Sequence, residues 1–472
     1  MDILIYLTIL IFGSMVFLII IGNQRWPLYL FFALYAVLPE YFAVEFSSSL
    51  PLLTASRIII LILCVYYFTK DHRKSTIKIL KQERLYMYFA IYFIFRIIAN
   101  GLYMFSIVDA VKELFIIIFE QLVVLLVVVS CLSSEKVFLK CLKIFIYSSA
   151  VIFVIGILQS ITGINVAYYF KTVSRTMLET SVQRLGFTRA EATFGHPVYF
   201  GQFCALVSPL IMYMYESSKQ KKYLLIFLLD IVALLFSNSR GSIISFVVLM
   251  AIMFIDKKKS SRRKYYGAIA FIGISIILVS LINPFIFDIF TSIFKSILNV
   301  FGFNYKLANY GENAQGLNSR AIQLSGILYL FKTNTFLFGL GANPHIRGIA
   351  YFMNPSGKWY ATNTLDVGYL EYILSEGIVG SIGVLSLFIG LLVESIRSSN
   401  KKDAKNANNA FKYCFIMYFL LLFSAVGCEK VFWTIIVMFI AYNKVKMKPI
   451  KIKQIEEFNY DIQNKTETES NI

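Results

Sequence analysis

Apolar runs recur along this chain at the length a bilayer core demands, about 17 to 25 residues each. They fall near 3–21, 27–45, 51–69, 85–104, 107–130, 137–162, 195–215, 265–283, 378–396, 410–427 and 430–443. Two shorter runs, 223–237 and 241–255, nearly abut across the tip Ser237-Asn-Ser-Arg-Gly241. Helices that are apolar on every face have no place in water, and inside lipid a helix satisfies its own backbone. The pattern predicts an all-α protein, a polytopic transmembrane helical bundle of about 12–13 spans with a large helical extracytoplasmic loop. Residues 1–162 hold the N-terminal transmembrane helices, 163–194 an extracytoplasmic loop, and 195–283 further transmembrane helices with the short Ser-Arg-Gly hairpin. Residues 284–377 form the large extracytoplasmic loop, 378–443 the C-terminal transmembrane helices, and 444–472 a basic cytoplasmic tail polar enough to be disordered. The first run has no basic segment before it and no small-residue cleavage site after it, so it reads as a retained span.

Charge sets the orientation. Hydrophobic residues make up 58% of the chain and charged residues 15%, more apolar surface than a soluble domain can hide. A formal charge of +18 would suit a nucleic-acid binder, but the cations cluster in short loops and in the tail. Six lie in Lys70–Arg84 and six in Asp256–Lys264, with other basic segments at Glu135–Lys143, Lys219–Lys222, Arg397–Lys412 and Lys444–Lys453. With thirteen spans and an outward N-terminus, every one of these faces the cytoplasm, and shifting the count by one span breaks the agreement. The partner they imply is anionic membrane lipid and not nucleic acid. The same count puts 163–193, the Arg240 tip and Pro284–Gly377 outside. The six cysteines sit in or beside spans and His72, His196 and His345 are scattered, so neither a disulfide framework nor a metal site is expected. No cofactor fingerprint and no internal repeat of the kind that builds transporters is visible.

Unexplained polar groups gather on the outer side. The run Tyr223–Phe236 would be roughly 21 Å long as a helix against roughly 30 Å of hydrocarbon, which sinks the Arg240 tip below the surface. A guanidinium at that depth needs a wet cavity or an anion, and its planar fork fits phosphate oxygens; the plainer alternative is an arginine reaching up to the headgroups. Arg175, Arg184 and Arg189 border a span against the positive-inside rule, drawn there by an anion or neutralised by Glu191. His196, before Pro197, reads equally well as a structural hydrogen-bonding residue. In the large loop, Phe285–Phe301 suits the outer interface. Asn318 or Ser319 caps a helix to about Lys332 with Arg320 in its first turn, where dipole and guanidinium together favour a diphosphate. Asn363 or Thr364 caps another helix, ended by Gly377, with Asp366 in its first turn as dipole stabiliser or general base. Within the spans, Glu113 and Glu120 share a helical face and are expected to pair with Arg57 or Arg96.

Taken together, Ala192-Thr-Phe-Gly-His-Pro197, Ser237-Asn-Ser-Arg-Gly241, Asn318-Ser-Arg320, Phe338-Gly-Leu-Gly341 and the run from Asp366 to Gly380 resemble the bacterial O-antigen ligase and polymerase superfamily. The likeness covers residues 184–396, and the earlier spans share only hydropathy with it. It implies a substrate carried on undecaprenyl diphosphate, a bacterial plasma-membrane location with the active site outside, and metal-independent inverting glycosyl transfer without a cofactor. Two family arginines would fall on Arg240 and Arg320. Ligases carry a histidine where this chain has Asp366, whereas many polymerases carry an acid there, so the resemblance favours a polymerase of lipid-linked oligosaccharide repeat units, for O-antigen, capsule or exopolysaccharide. A flippase and a chain-length regulator are its implied pathway partners.

The expected chemistry follows from those residues. Arg240 and Arg320, with Arg184 or Arg189 assisting, hold the diphosphate, and Asp366 takes the acceptor's proton. A ligase that moves finished polymer to another acceptor, a transporter of the same lipid-linked sugar, and a scaffold are the alternatives.

Overall fold

The computed structural model describes residues 25–47, 50–69, 85–102, 106–132, 134–173, 183–184, 187–256, 320, 322–354, 356–362, 364–400 and 406–445. The spans expected at 3–21 and 265–283, the run 285–301, Arg175, the cap at 318–319 and the tail lie outside these residues.

The described chain is an all-α polytopic membrane protein with three two-stranded hairpins. Its helices are α1 (Trp26–Leu34), α2 (Ala55–Thr69), α3 (Tyr86–Gly101), α4 (Ile107–Cys131), α5 (Glu135–Thr162), α6 (Pro197–Ser218), α7 (Lys221–Ser237), α8 (Arg240–Asp256), α9 (Ile322–Lys332), α10 (Gly368–Ser398), α11 (Asn408–Leu421) and α12 (429–445). Four of them, α4, α5, α6 and α10, are long and apolar enough to cross a bilayer by themselves. Side-chain caps start three of these, that of α6 being His196. Ser106 Oγ accepts the Asp109 amide before α4, and Ser134 Oγ accepts that of Val137 before α5, each with an acid in the first turn to meet the helix dipole. Left-handed Gly163 ends α5.

The run expected at 27–45 is not one span. Helix α1 stops at Leu34, Pro39 cannot donate to a further turn, and Ala43–Val44 pairs instead with Leu53–Thr54. The pairing expected of the intramembrane acids with Arg57 or Arg96 holds for Glu120, and the two arginines take different partners. Arg57 Nε donates to Glu120 at 2.7 Å, whereas Arg96 meets Glu376 of α10. A π-helical stretch, Ile116–Val123, lies behind this division. One extra residue per turn re-aims neighbouring side chains, so Glu120 faces Arg57 while Gln121 accepts from Tyr92 Oη at 2.9 Å and from Arg96 at 3.3 Å.

The bundle has two chemically different ends. At one, Lys412 of α11 pairs with Asp256 at the end of α8, and Asn408 donates to Asn443 Oδ1 at 2.6 Å. Tyr147 of α5 stacks on Tyr223 of α7 there, and Lys444 donates to Val129 O at 2.9 Å. The described basic segments 135–143, 219–222, 397–400, 406–412 and 444 therefore collect on this end. At the other end lie the α7–α8 tip, the end of α5 and the starts of α6 and α10. Helices α7 and α8 have 17 residues each, about 25 Å, against 22 residues, about 33 Å, for α6. The tip accordingly packs against α6 one turn inside its start: a Cβ at Gly201 would stand 2.7 Å from Ser237 Oγ and 2.9 Å from Ser239 Cβ.

The large loop is folded, though less helical than expected among its described residues. It carries α9, a hairpin pairing Tyr351–Met353 with Trp359–Ala361, and glycine turns between them. Leu330, Leu340, Ala350, Phe352, Leu365, Leu370 and Leu374 form its own small core on the first turns of α10. Arg347 ties it to Asp109 of α4 at 2.9 Å.

Candidate active site

The α7–α8 tip is a tight polar corner. Asn238 takes a left-handed conformation (φ 49°) that closes α7, and the Ser239 and Ser242 hydroxyls bond at 2.9 Å. Arg240 then opens α8, partly buried. The preceding loop folds over this corner: the Ala190 amide donates to Phe236 O at 3.0 Å and Arg189 Nε to Ser237 O at 3.1 Å. Arg189 and Arg240, 51 positions apart in sequence, thus belong to one surface. Arg184 lies in a two-residue strand, with Arg184 opposite Phe187.

Glu191 stays in the loop and is buried. Gln159 Oε1 accepts its amide at 2.9 Å and that of Ala192 at 2.8 Å, and the Tyr168 hydroxyl donates to its carboxylate. Burial raises its pKa, against the pull of Tyr168 and the Arg189 charge.

Asp366 is not in a first helical turn. Helix α10 begins at Gly368 after an uncapped Val367, and Thr364 takes no capping role. Tertiary contacts do the work a cap would do. The Asp366 amide donates to Gln323 Oε1 at 2.9 Å, the Gly368 amide to Leu422 O at 2.8 Å, and Gln323 Nε2 returns a bond to Thr364 O at 3.2 Å. Gln323, fully enclosed in α9, was not among the residues singled out by sequence; it lies one turn after Arg320 and joins that arginine's helix to the Asp366 segment. Arg320 itself has its Nε enclosed with no hydrogen-bond partner among the described residues.

A short loop, 422–428, lies at the centre. Gly241 of α8 packs on Ser424, a Cβ there standing 2.8 Å from Ser424 Oγ. Gln202 of α6 donates to Ala425 O at 2.7 Å, the Cys428 thiol to Tyr199 O at 2.8 Å, and Gly368 of α10 lies against Leu422 and Val426. The starts of α6, α8 and α10 are thereby gathered round seven residues, with their positive dipole ends together. At the start of α6, His196 Nδ1 accepts the Val198 amide at 3.2 Å. Its ring remains exposed within a crowded surround that lowers its pKa to about 4, an effect Arg189 reinforces and Asp366 opposes. Arg189, His196 and Asp366 are thus electrostatic neighbours.

Gly377 interrupts α10 without ending it. Its φ of 63° breaks the ladder, and the freed groups are taken by the glycine turn: Leu340 and Gly341 amides donate to Leu374 O and Ser375 O at 2.7 and 2.8 Å. In return the Ile378 and Val379 amides donate to Phe336 O and Leu337 O, both at 3.0 Å. Only glycines permit this approach, since a Cβ at Gly339 would lie 2.5 Å from Gly377 N and one at Gly377 2.4 Å from Leu337 O. Beside the break, Glu376 accepts from Arg96 Nε at 2.8 and 2.9 Å. A small cavity lined by Tyr92, Tyr372, Glu429 and Trp433 adjoins this pair inside the bundle.

The corner, the Arg320 helix, the glycine turn, Asp366 and the Gly377 break all fall in one stretch of sequence. Residues 225–385 match the O-Antigen ligase family. The match supports the O-antigen ligase and polymerase superfamily and, with it, a membrane function of the ligase or polymerase type. Arg189, His196 and the 422–428 loop lie outside the matched residues, yet Arg189 and the loop pack against them. No curated protein sequence matches the chain.

Proposed function

We propose that this protein is a membrane glycosyltransferase that polymerises undecaprenyl-diphosphate-linked oligosaccharide repeat units on the outer face of a bacterial plasma membrane. The observation that carries the reading is the gathering of three helix starts round the 422–428 loop, with Arg240 and Arg189 at the same corner and Arg320, whose Nε has no partner among the described residues, on the helix tied to Asp366. Helix starts and guanidinium groups favour oxyanions, and in a site shielded by lipid that preference is strong. The separation of the basic bundle end from this corner supports an outward-facing site, because cytoplasmic loops carry the excess of Lys and Arg.

In the proposed reaction, an acceptor sugar hydroxyl attacks C1 of the donor sugar from the face opposite the diphosphate. The C1–O bond to phosphate breaks, inverting C1, and undecaprenyl diphosphate leaves with the bonding pair. Arg240 and Arg320, with Arg189 and Arg184 assisting, balance the charge that grows on the leaving oxygen. Asp366 accepts the hydroxyl proton as the new bond forms. No metal enters these steps.

Purified protein given synthetic undecaprenyl-diphosphate oligosaccharide is expected to yield products of increasing repeat number. Asp366→Asn is expected to slow their formation by about 10²- to 10⁴-fold while donor binding persists. Products that stop at a single transfer to a different acceptor would instead identify a ligase. Full activity of the Asp366→Asn protein would remove Asp366 as the base.

A further inference from the structure

We propose that His196 is a further catalytic residue of this site, its Nε2–H donating a hydrogen bond to the acceptor sugar beside Asp366. The inference rests on the glycosyl-transfer reading above and adds a substrate contact to it. The geometry starts with the helix cap. His196 Nδ1 accepts the Val198 amide at 3.2 Å, so the nitrogen facing the helix carries no proton, and in the neutral ring the proton sits on Nε2. The cap thus fixes the tautomer and aims a donor away from the helix.

Three further observations give that donor a task. The ring is open to solvent although the backbone around it is packed. It is held at a set tilt by Tyr199, with ring centroids 5.2 Å apart and planes at 51°. Tyr199 is itself pinned by the 422–428 loop: the Cys428 thiol donates to its carbonyl, and Gly427 lies against its ring. The same loop accepts the Gly368 amide two residues after Asp366, so the His196 and Asp366 segments are positioned by one element. Capping alone does not call for an imidazole, because serine, asparagine or aspartate caps a helix better with a smaller side chain. What histidine adds is a rigid, uncharged donor reaching beyond the cap. With Asp366 taking the proton of the attacking hydroxyl, a hydrogen bond from Nε2 to a neighbouring oxygen of the same sugar fixes which hydroxyl is presented.

Two variants separate this role from capping. His196→Ser keeps a capping oxygen and removes the outward donor; its melting temperature in detergent is expected to match wild type, while kcat/KM for acceptor falls about tenfold or more. His196→Asn restores an acceptor and a donor on one amide and is expected to recover a large part of that loss. A serine variant as active as wild type, or a stable asparagine variant no better than serine, overturns the proposal. If serine melts early, the asparagine variant decides alone: stable and active supports the role, stable and inactive overturns it. Wild-type protein that makes no product from the lipid-diphosphate oligosaccharide overturns the glycosyl-transfer reading and this inference together, whereas failure confined to the variants leaves that reading standing.

Discussion

Alanine at both Arg240 and Arg320 is expected to lower kcat/KM for the lipid-linked donor by about 10⁴-fold or more, with each single change costing about 10²- to 10³-fold. The size follows from what each group does in the fold. Arg240 opens α8 at a corner of buried serines, and Arg320 has an enclosed Nε for which the described residues supply no acceptor. In the proposed reaction both act on an anion that develops charge in the transition state. Arg189→Ala is expected to cost less, because its Nε already donates to Ser237 O. Its loss loosens the corner and leaves the other two in place. Steady-state kinetics of the purified variants in one detergent make the comparison. Chain growth at wild-type rate by the double variant would mean that these arginines do not clamp the diphosphate.

The largest stability effect is expected inside the bundle. Arg96→Ala leaves the Glu376 carboxylate, 4% exposed, without its cation, and uncompensated buried charge of this kind costs about 3–5 kcal/mol. Glu376 stands next to the Gly377 break, so the same loss loosens the α10 segment that holds the glycine turn. Removing both charges at once, Arg96→Met with Glu376→Leu, is expected to recover most of the lost stability, since well-packed apolar pairs replace buried ion pairs at little cost. Thermal unfolding of both variants in detergent checks this. An Arg96→Ala protein that melts with wild type would show that the pair contributes nothing to the fold.

Much of the fold was legible in hydropathy, because lipid leaves the backbone few options and long apolar runs announce the answer. The starts and ends of α4, α5 and α6 fell close to where the apolar runs put them. Where the reading failed, a tertiary contact had replaced a local signal. Asn363 and Thr364 look like helix caps, but Gln323 and Leu422 satisfy the Asp366 and Gly368 amides, so α10 starts later. Gly377 looks like a stop, but the Phe336–Gly341 strip takes up the broken ladder and the helix resumes. Arg96 has Glu113 and Glu120 on the next helix in sequence, yet its partner is 280 residues distant.

The site shows the same division. Arg240 and Arg189 could be suspected because cations expected on the outer side need a reason, and the structure brings both to one corner. The 422–428 loop carried no such signal, being short, small and uncharged up to Cys428. Its role comes from what it lets approach, since glycines at 241, 368 and 427 bring three elements into contact with it. Gln323 was hidden for a related reason: one amide in an amphipathic helix gains meaning only when both of its ends find backbone partners.

The most direct measurement is an experimental structure of the protein in lipid with undecaprenyl diphosphate bound. The account predicts the two phosphates at the α7–α8 corner, within hydrogen-bond reach of Arg240 and Arg320, with the lipid tail leaving between helices. A diphosphate bound elsewhere, or one that touches neither arginine, would contradict it.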